Sequence, residues 1–345
     1  MGNRGPTLED VAREAGVSRA TVSRVVNGVR NVAPEIQEAV RAAVDRTGYA
    51  PNQAARSLVT RRTGAVALVL SATGGSFTAR LFSDPFFGRV VDGVLPVLRE
   101  RAVQPVLLVA ESEQARTQLV AYLRRGGADG ALVVPLDEED PLPGALVAAG
   151  LPTVLFGRPP AGLRCGWVDL DNGAGARLAA EHLWAAGRRR PAAIAAPPSA
   201  PTARERLDGF TAALAARGVT GVPVERGRFT EESGRDAMAR ILDRHPDVDA
   251  VFAANDLMAR GACRLLAERG VAVPETVAVV GFDDSAAARD AAPPLTTVRQ
   301  PVEEMAAAMT ELLLERLDRR DRPDAGAPGT GSKVFEPVLV VRESA

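Results

Sequence analysis

Seven apolar runs recur between residues 65 and 284: AVALVLS (Ala65–Ser71), PVLLVA (Pro105–Ala110), GALVVP (Gly130–Pro135), PTVLF (Pro152–Phe156), PAAIAA (Pro191–Ala196), AVFAAN (Ala250–Asn255) and VAVVGFDD (Val277–Asp284). They are nearly continuous instead of alternating, which is the pattern of strands buried on both faces. Between them lie helix-period stretches such as FFGRVVDGVLPVLRERA, ARLAAEHLWAAG, DGFTAALAARG and LMARGACRLLAERG. Helices laid on both faces of a parallel sheet bury such strands. The body, residues 64–345, is therefore expected to be a doubly wound α/β structure with ligands beyond the carboxyl ends of its strands, and it is long enough for two such lobes.

The first 50 residues follow a different rule. Thr7 followed by Asp10 has the spacing of a cap, and Leu8, Val11, Ala12 and Ala15 recur at helical spacing until Gly16. Ser18 can cap a second helix with Ala20, Val22, Val25 and Val26 on its inner side, ended by Asn27-Gly28. Pro34 opens a third, whose stripe Ile36, Ala39, Val40, Ala43, Val44 runs to Gly48. Three short helices with a glycine turn between the first two form a helix-turn-helix head, whose second helix enters the major groove of DNA. Arg19 and Ala20 open that helix, and Arg24 lies about 1.4 turns further on its exposed side, where an arginine can grip guanine. Thr21, Ser23 and Asn27 are short donors suited to phosphates, and the capping residues Thr7 and Ser18 complete the set expected at the DNA.

Charge supports an anionic partner for the head alone. Residues 1–62 carry ten arginines against six acids, while the whole chain has a net charge of -1, so the remainder is acidic. Two cysteines (Cys165, Cys263) and two histidines (His182, His245) are too few and too scattered for a disulfide framework or a zinc site. No metal or cofactor is expected. MGNRGPTLED lacks the apolar stretch of a signal peptide and no run of about 18 apolar residues occurs, so a cytoplasmic protein without a membrane partner is expected.

TLEDVAREAGVSRATVSRVVNG followed by GYAPNQAARSLVTRRTG resembles the head and hinge of the LacI/GalR family of bacterial transcription regulators, and the likeness continues through nearly all of the chain. One departure is Ala33 before Pro34, where Ser or Thr is frequent. The resemblance implies a hinge helix within residues 51–63 that pairs with a second copy over the minor groove. Leu58 would wedge into a base step, Ala54 and Ala55 would let the two helices approach, and Asn52 and Arg56 would reach phosphates or groove edges. It also implies two Rossmann-like subdomains of the periplasmic binding protein kind. The N-subdomain would take about 64–159 and 293–324, the C-subdomain about 160–292 and 325–345. The three crossings would then lie near Pro159, near Ala292 and within Arg322–Ser332.

Asn255 and Asp256, Asp283 and Asp284, and Arg206 fall at strand or helix ends that face one cleft, where a carboxylate, a carboxamide and a guanidinium could hold sugar hydroxyls. Taken alone they could equally be caps, turn residues or a salt-bridge partner, and the phenylalanines core packing. The family implies Arg206, Asn255 and Asp283 as effector contacts and Phe229 as a stacking ring. From the other lobe it implies Ser71 and Phe86 or Phe87, and Gly157 stands where some relatives carry a ligand-binding acid.

Enzyme signatures are absent from the sequence. No GxGxxG opens a helix after a strand, GTGSK lacks P-loop spacing, and there is no GxSxG. Adjacent carboxylates at Asp283-Asp284 with no histidine nearby make a poor metal or acid–base pair. The expectation is a homodimeric repressor that binds double-stranded, pseudo-palindromic operator DNA under the control of a small-molecule effector, a sugar or related metabolite. The alternatives are a soluble sugar-binding module and a doubly wound carbohydrate enzyme, neither of which needs the first 60 residues. VLVVRESA shows no leucine heptads, so a dimer is preferred to a tetramer.

Overall fold

The computed structural model describes residues 6–26, 32–49, 62–72, 84–320 and 331–345. Asn27 and the hinge residues Asn52, Ala54, Ala55, Arg56 and Leu58 lie outside the described residues. The chain divides into two compact units after Gly64.

In the first unit, helices α1 (Leu8–Ala15), α2 (Arg19–Val26) and α3 (Pro34–Thr47) close on a small core of Val11, Ala12, Val22, Val40 and Ala43. Thr7 and Asp10 form a reciprocal capping box, so two of the unpaired N-terminal donors of α1 are satisfied. Gly16 ends α1 at a φ of 67°, a conformation that costs a side-chain-bearing residue and that glycine adopts freely. Ser18 Oγ accepts from Thr21 N at 3.1 Å, which caps α2, whereas Ala33 leaves α3 without a side-chain cap.

The second unit contains two six-stranded sheets. Strands β1 (Ala65–Ser71), β2 (Gln104–Ala110), β3 (Gly130–Pro135), β4 (Thr153–Phe156), β5 (Gly166–Leu170) and β11 (Ser332–Phe335) form the first, in the order β11-β5-β4-β3-β1-β2. Strands β6 (Pro191–Ala195), β7 (Val224–Arg226), β8 (Ala250–Ala253), β9 (Ala278–Asp283), β10 (Thr296–Arg299) and β12 (Val338–Val340) form the second, in the order β12-β10-β9-β8-β6-β7. All pairs are parallel except β10 with β12. The helices are α4 (Pro85–Glu100), α5 (Glu113–Arg124), α6 (Leu142–Ala148), α7 (Asn172–Ala185), α8 (Pro201–Ala215), α9 (Glu231–Arg244), α10 (Asp256–Glu268), α11 (Ala286–Arg289) and α12 (Val302–Arg320).

Alternation explains the unbroken runs. Val66, Leu68 and Leu70 of β1 join one apolar cluster, while Ala67 and Val69 join another on the opposite face. Val280 and Phe282 of β9 likewise face away from Val279. Both faces are covered, so each position is apolar.

The sheets place the crossings later in the chain than expected. Strand β5 still pairs with β4, so the first passage follows Leu170, not Pro159. Strand β10 still pairs with β9, and α12 packs on α4 and the first sheet, so the second lies at Gln300–Pro301, not Ala292. Strand β11 pairs with β5 and β12 with β10, so the third falls at Glu336–Pro337, beyond 322–332. Proline and glycine marked loops within a lobe, whereas pairing decides membership. No described helix is long and apolar enough to cross a membrane.

Candidate functional site

A cavity of ≈ 240 Å³ opens at the carboxyl ends of both sheets, somewhat below the range of about 300–1,000 Å³ usual for small-molecule sites. Arg206, in the second turn of α8, is its hub. The residue is 3% exposed and its side chain lies over the Phe282 ring, with 3.6 Å between guanidinium carbon and ring centroid. Nε donates to Asn172 Oδ1 at 2.9 Å, Nη1 to the Ala254 carbonyl at 2.6 Å and to Asp283 Oδ1 at 3.1 Å, and Nη2 to Gln300 Oε1 at 2.9 Å. Asn172 and Gln300 stand at the first two crossings, so this arginine ties the C-terminal lobe to the segments that join it to the other.

Burial pushes the Arg206 guanidinium down, and the Asp283 carboxylate opposes the shift. Burial pushes the Asp283 carboxyl up; Arg206 and Arg89 oppose this and the Asp84 charge adds to it. Asp256 is raised as well, by burial first and then by Asp283, although it accepts from Thr297 Oγ1 and from the amide and hydroxyl of Ser285. The adjacent pair imagined as a metal or acid–base unit is split: Asp283 faces Arg206, while Asp284 accepts from Arg342 Nη2 at 2.6 Å. Among the described residues no group of His, Cys, Asp and Glu is arranged to hold a metal.

Asn255 Oδ1 caps α10 by accepting from Met258 N at 2.9 Å, and its Nδ2 donates to the Phe229 carbonyl at 3.2 Å, so it lines the cavity while also serving as a cap. Phe229 (φ 62°), Asp283 (φ 109°) and Asp284 (φ 50°) are three of the four described non-glycine residues with positive φ. Such strain gathers at sites the surrounding structure holds in place. Phe86 and Phe87 both line the cavity, and Phe86 meets Phe87 and Phe156 edge to face at 5.3 and 5.4 Å.

Ser71 is not among the residues that line the cavity. It shares the β1 face of Ala67 and Val69, its hydroxyl turns to the Ala110 carbonyl at 3.5 Å, and the next residue, Ala72, faces the cavity instead. Gly157 lines the cavity at a φ of 104°, and its amide donates to the Val168 carbonyl. The adjoining position on β5 is Asp169, a buried carboxylate that accepts from Arg158 Nε at 2.9 Å and lines the same cavity. Sequence reading passed over Asp169, Asn172 and Gln300. The only signal for Asp169 was its place in VDLDN, just before a capped helix.

Burial, with the charge of Glu205 adding to it, pushes the Asp169 carboxyl up to about 6; a backbone hydrogen bond and Arg158 oppose the shift. A carboxyl raised on folding stabilises the protonated fold below its unfolded value, and that contribution is lost as pH climbs through about 6. Asp169→Asn is therefore expected to be the more stable protein at pH 7.5 by about 2–3 kcal/mol, with the gap closing between about pH 6 and pH 4. Urea unfolding of both proteins across that range checks this. A gap independent of pH contradicts it.

Arg89, on α4, reaches the backbone of two cavity-lining residues. It holds Glu303 through Nε at 2.7 Å and Nη2 at 2.8 Å, and donates to the carbonyls of Asp283 at 3.0 Å and Gln300 at 2.9 Å. Burial disfavours both charges, yet their pairing prevails, leaving Arg89 raised and Glu303 lowered. At the mouth, Glu138 N donates to the Ser199 carbonyl at 2.8 Å and Arg204 meets Glu138 at 3.2 Å.

On the head, Arg19, Ala20 and Arg24 are exposed on α2. Arg19 pairs with Glu9 at 3.2 Å, and Arg24 makes no ion pair among the described residues. The hydroxyls of Thr7, Ser18 and Thr21 are engaged in capping, Thr7 with Asp10 and Ser18 with Thr21, so these side chains shape the helix ends first. Ser23 is half-buried on α2.

Residues 7–52 match the model for bacterial regulatory proteins of the lacI family, and residues 180–345 match that for the periplasmic binding protein-like domain. The chain is 46% identical to the HTH-type transcriptional regulator CelR of Thermobifida fusca, covering 99% of this chain and 98% of the relative. It is 35% identical to the HTH-type transcriptional regulator GalR of Escherichia coli, over 98% and 95%. Among solved structures, a transcriptional regulator CelR–cellobiose complex superposes with a TM-score of 0.75 at 43% identity, covering 99% of this chain and 100% of that one. The lac repressor dimer bound to operator and the anti-inducer ONPF gives a TM-score of 0.84 at 26% identity, covering 99% of each chain.

Proposed function

Because the chain belongs to the lacI family of bacterial regulatory proteins, we propose that this transcriptional regulator is a homodimeric repressor whose grip on operator DNA is set by a neutral sugar held between its lobes. The head supplies the DNA-reading helix, with Arg19, Ala20 and Arg24 toward the bases and Thr21, Ser23 and Asn27 toward phosphates. Thr7 and Ser18 stand at the helix starts, and the hinge residues Asn52, Ala55, Arg56 and Leu58 serve the minor groove. It regulates and does not catalyse.

The observation that carries the effector reading is the buried hub. Arg206, Asp283, Asn255, Gln300 and Asp169 offer directed donors and acceptors, and Phe86, Phe87, Phe156 and Phe229 offer apolar surface for a sugar face. Four aspartates (Asp84, Asp137, Asp169, Asp283) and two arginines (Arg158, Arg206) line the cavity, so the surplus charge is negative and repels phosphorylated sugars. The cellobiose bound by the 43% identical CelR makes a neutral disaccharide the first ligand to try. A ligand that prefers one arrangement of the lobes biases the dimer, and by linkage operator and effector alter each other's affinity equally.

Cellobiose is expected to raise the thermal midpoint, by about 2.7 kcal/mol of added stability at a hundredfold excess over its Kd, and to weaken binding to a palindromic duplex. Glucose 6-phosphate should do neither. Stabilisation by the phosphorylated sugar alone would overturn the neutral-sugar reading.

A further inference from the structure

We infer that Arg89 is a positioning residue that makes the effector cavity and the angle between the lobes a single mechanical unit; the cavity's role rests on the reading above. Two arginines, one from each lobe, grip the same two residues from opposite ends. Arg206, of the C-terminal lobe, holds the side chains of Asp283 and Gln300. Arg89, of the N-terminal lobe, holds their carbonyl oxygens. Its remaining donors form a two-point contact with Glu303 at the start of α12, three residues beyond Gln300.

The grip has little slack. The Arg89 side chain is 16% exposed, and a planar guanidinium that satisfies a carboxylate and two carbonyls at once is fixed in position and orientation. Helices α4 and α12 also touch backbone to backbone beside it, since a β-carbon at Gly93 would collide with the Glu303 carbonyl. Asp283 is held at a φ of 109°, so its carbonyl stays where Arg89 can reach only while the surrounding contacts keep the strained turn. Rotation of one lobe against the other therefore has to pull on Asp283 or Gln300, and both side chains line the cavity. Helix α4 also carries Phe86 and Phe87, so the element that bears the clamp supplies two of the cavity's rings.

The test compares the full-length wild type with Arg89→Met, Arg89→Lys and the charge swap Arg89→Glu/Glu303→Arg. In ligand-free protein, Arg89→Met should speed amide exchange tenfold or more at residues 283–285, 300, 302 and 303 and leave the strands of both sheets unchanged. Arg89→Lys, which keeps the charge and some donors, should fall between. The swap restores an ion pair but leaves no side-chain N–H on residue 89 for the two carbonyls, so it should not rescue. By calorimetry, the cellobiose affinity of Arg89→Met should be at least tenfold weaker than that of wild type. Wild-type exchange at 283–285, 300, 302 and 303 in Arg89→Met, or rescue by the swap, would overturn the clamp and leave an ordinary ion pair. If wild-type protein fails to bind cellobiose, the sugar assignment falls for that probe, and the exchange data still decide the clamp.

Discussion

Replacing Asp283 with alanine is expected to abolish the response of operator binding to effector while leaving operator binding itself intact. Two losses coincide. The cavity loses a carboxylate that could accept from a sugar hydroxyl, and Arg206, 3% exposed, loses the carboxylate bonded to its guanidinium. Leaving a buried charge without its partner costs about 3–5 kcal/mol, so the body should also unfold earlier. Alanine at a φ of 109° adds strain that aspartate tolerates better and glycine escapes. Asp283→Gly therefore separates the effects, because it removes the strain and still lacks the carboxylate. Both variants should bind operator with wild-type affinity, since the head has its own core in a separate unit, and neither should change that affinity when cellobiose is added. Asp283→Asn keeps an acceptor for Arg206 and should retain part of the response. Fluorescence anisotropy on a labelled operator, with and without sugar, reads all three. A normal response in Asp283→Ala would remove Asp283 from the site.

What could be read from sequence depended on how local the cause was. The ends of α1, α2 and α3 follow from residues within one turn, Thr7 with Asp10, Ser18 with Thr21, Gly16 and Gly48, and their bounds were visible in the chain. Strands β1, β3 and β9 were visible because both faces are buried. Strands β5, β7, β10, β11 and β12 were not: each has five residues or fewer, and β7, β10 and β11 are also interrupted by charged or hydroxyl residues. Thr296 and Thr297 of β10 are fully buried because Ser344, Asp256 and the chain near Arg342 satisfy them from more than 40 residues away. Missing β5, β10 and β11 as strands is also what moved the crossings, since each crossing follows one of them.

The cavity shows the same division. Arg206, Asn255, Asp283 and Phe229 were found from strand-end positions and family likeness, and all four line it. Gln300, Asn172 and Arg89 act through partners 94, 34 and 211 residues away, and no spacing rule reaches that far. Ser71 stands outside the lining for the opposite reason: it lies one position from the cavity-facing Ala72, and a one-residue step along a strand changes the face.

Operator binding should fall steeply with salt and lose sequence discrimination without Arg24. The head holds a local excess of arginine on a chain whose net charge is -1, so the DNA-facing field is confined to the first 62 residues and the rest of the molecule opposes it. For a dimer that neutralises six to ten phosphates, affinity drops by about 10³–10⁵ between 50 and 200 mM salt. Arg24 is exposed on α2 and makes no ion pair among the described residues, so among these its guanidinium has no ion-pair partner to exchange for a base. Arg19 differs, because its pairing with Glu9 at 3.2 Å has to be exchanged for DNA, although both groups are so exposed that the exchange costs little. Arg24→Ala should therefore cost about 1–3 kcal/mol in each half-site and flatten preference at one base pair, with the salt slope nearly unchanged. A purely electrostatic contact predicts the reverse: equal loss on every sequence and a slope shallower by about one per contact. Titrations of wild type and Arg24→Ala on the operator and on four single-base variants, at two salt concentrations, distinguish the two. Binding indifferent to salt would deny the head its role at DNA.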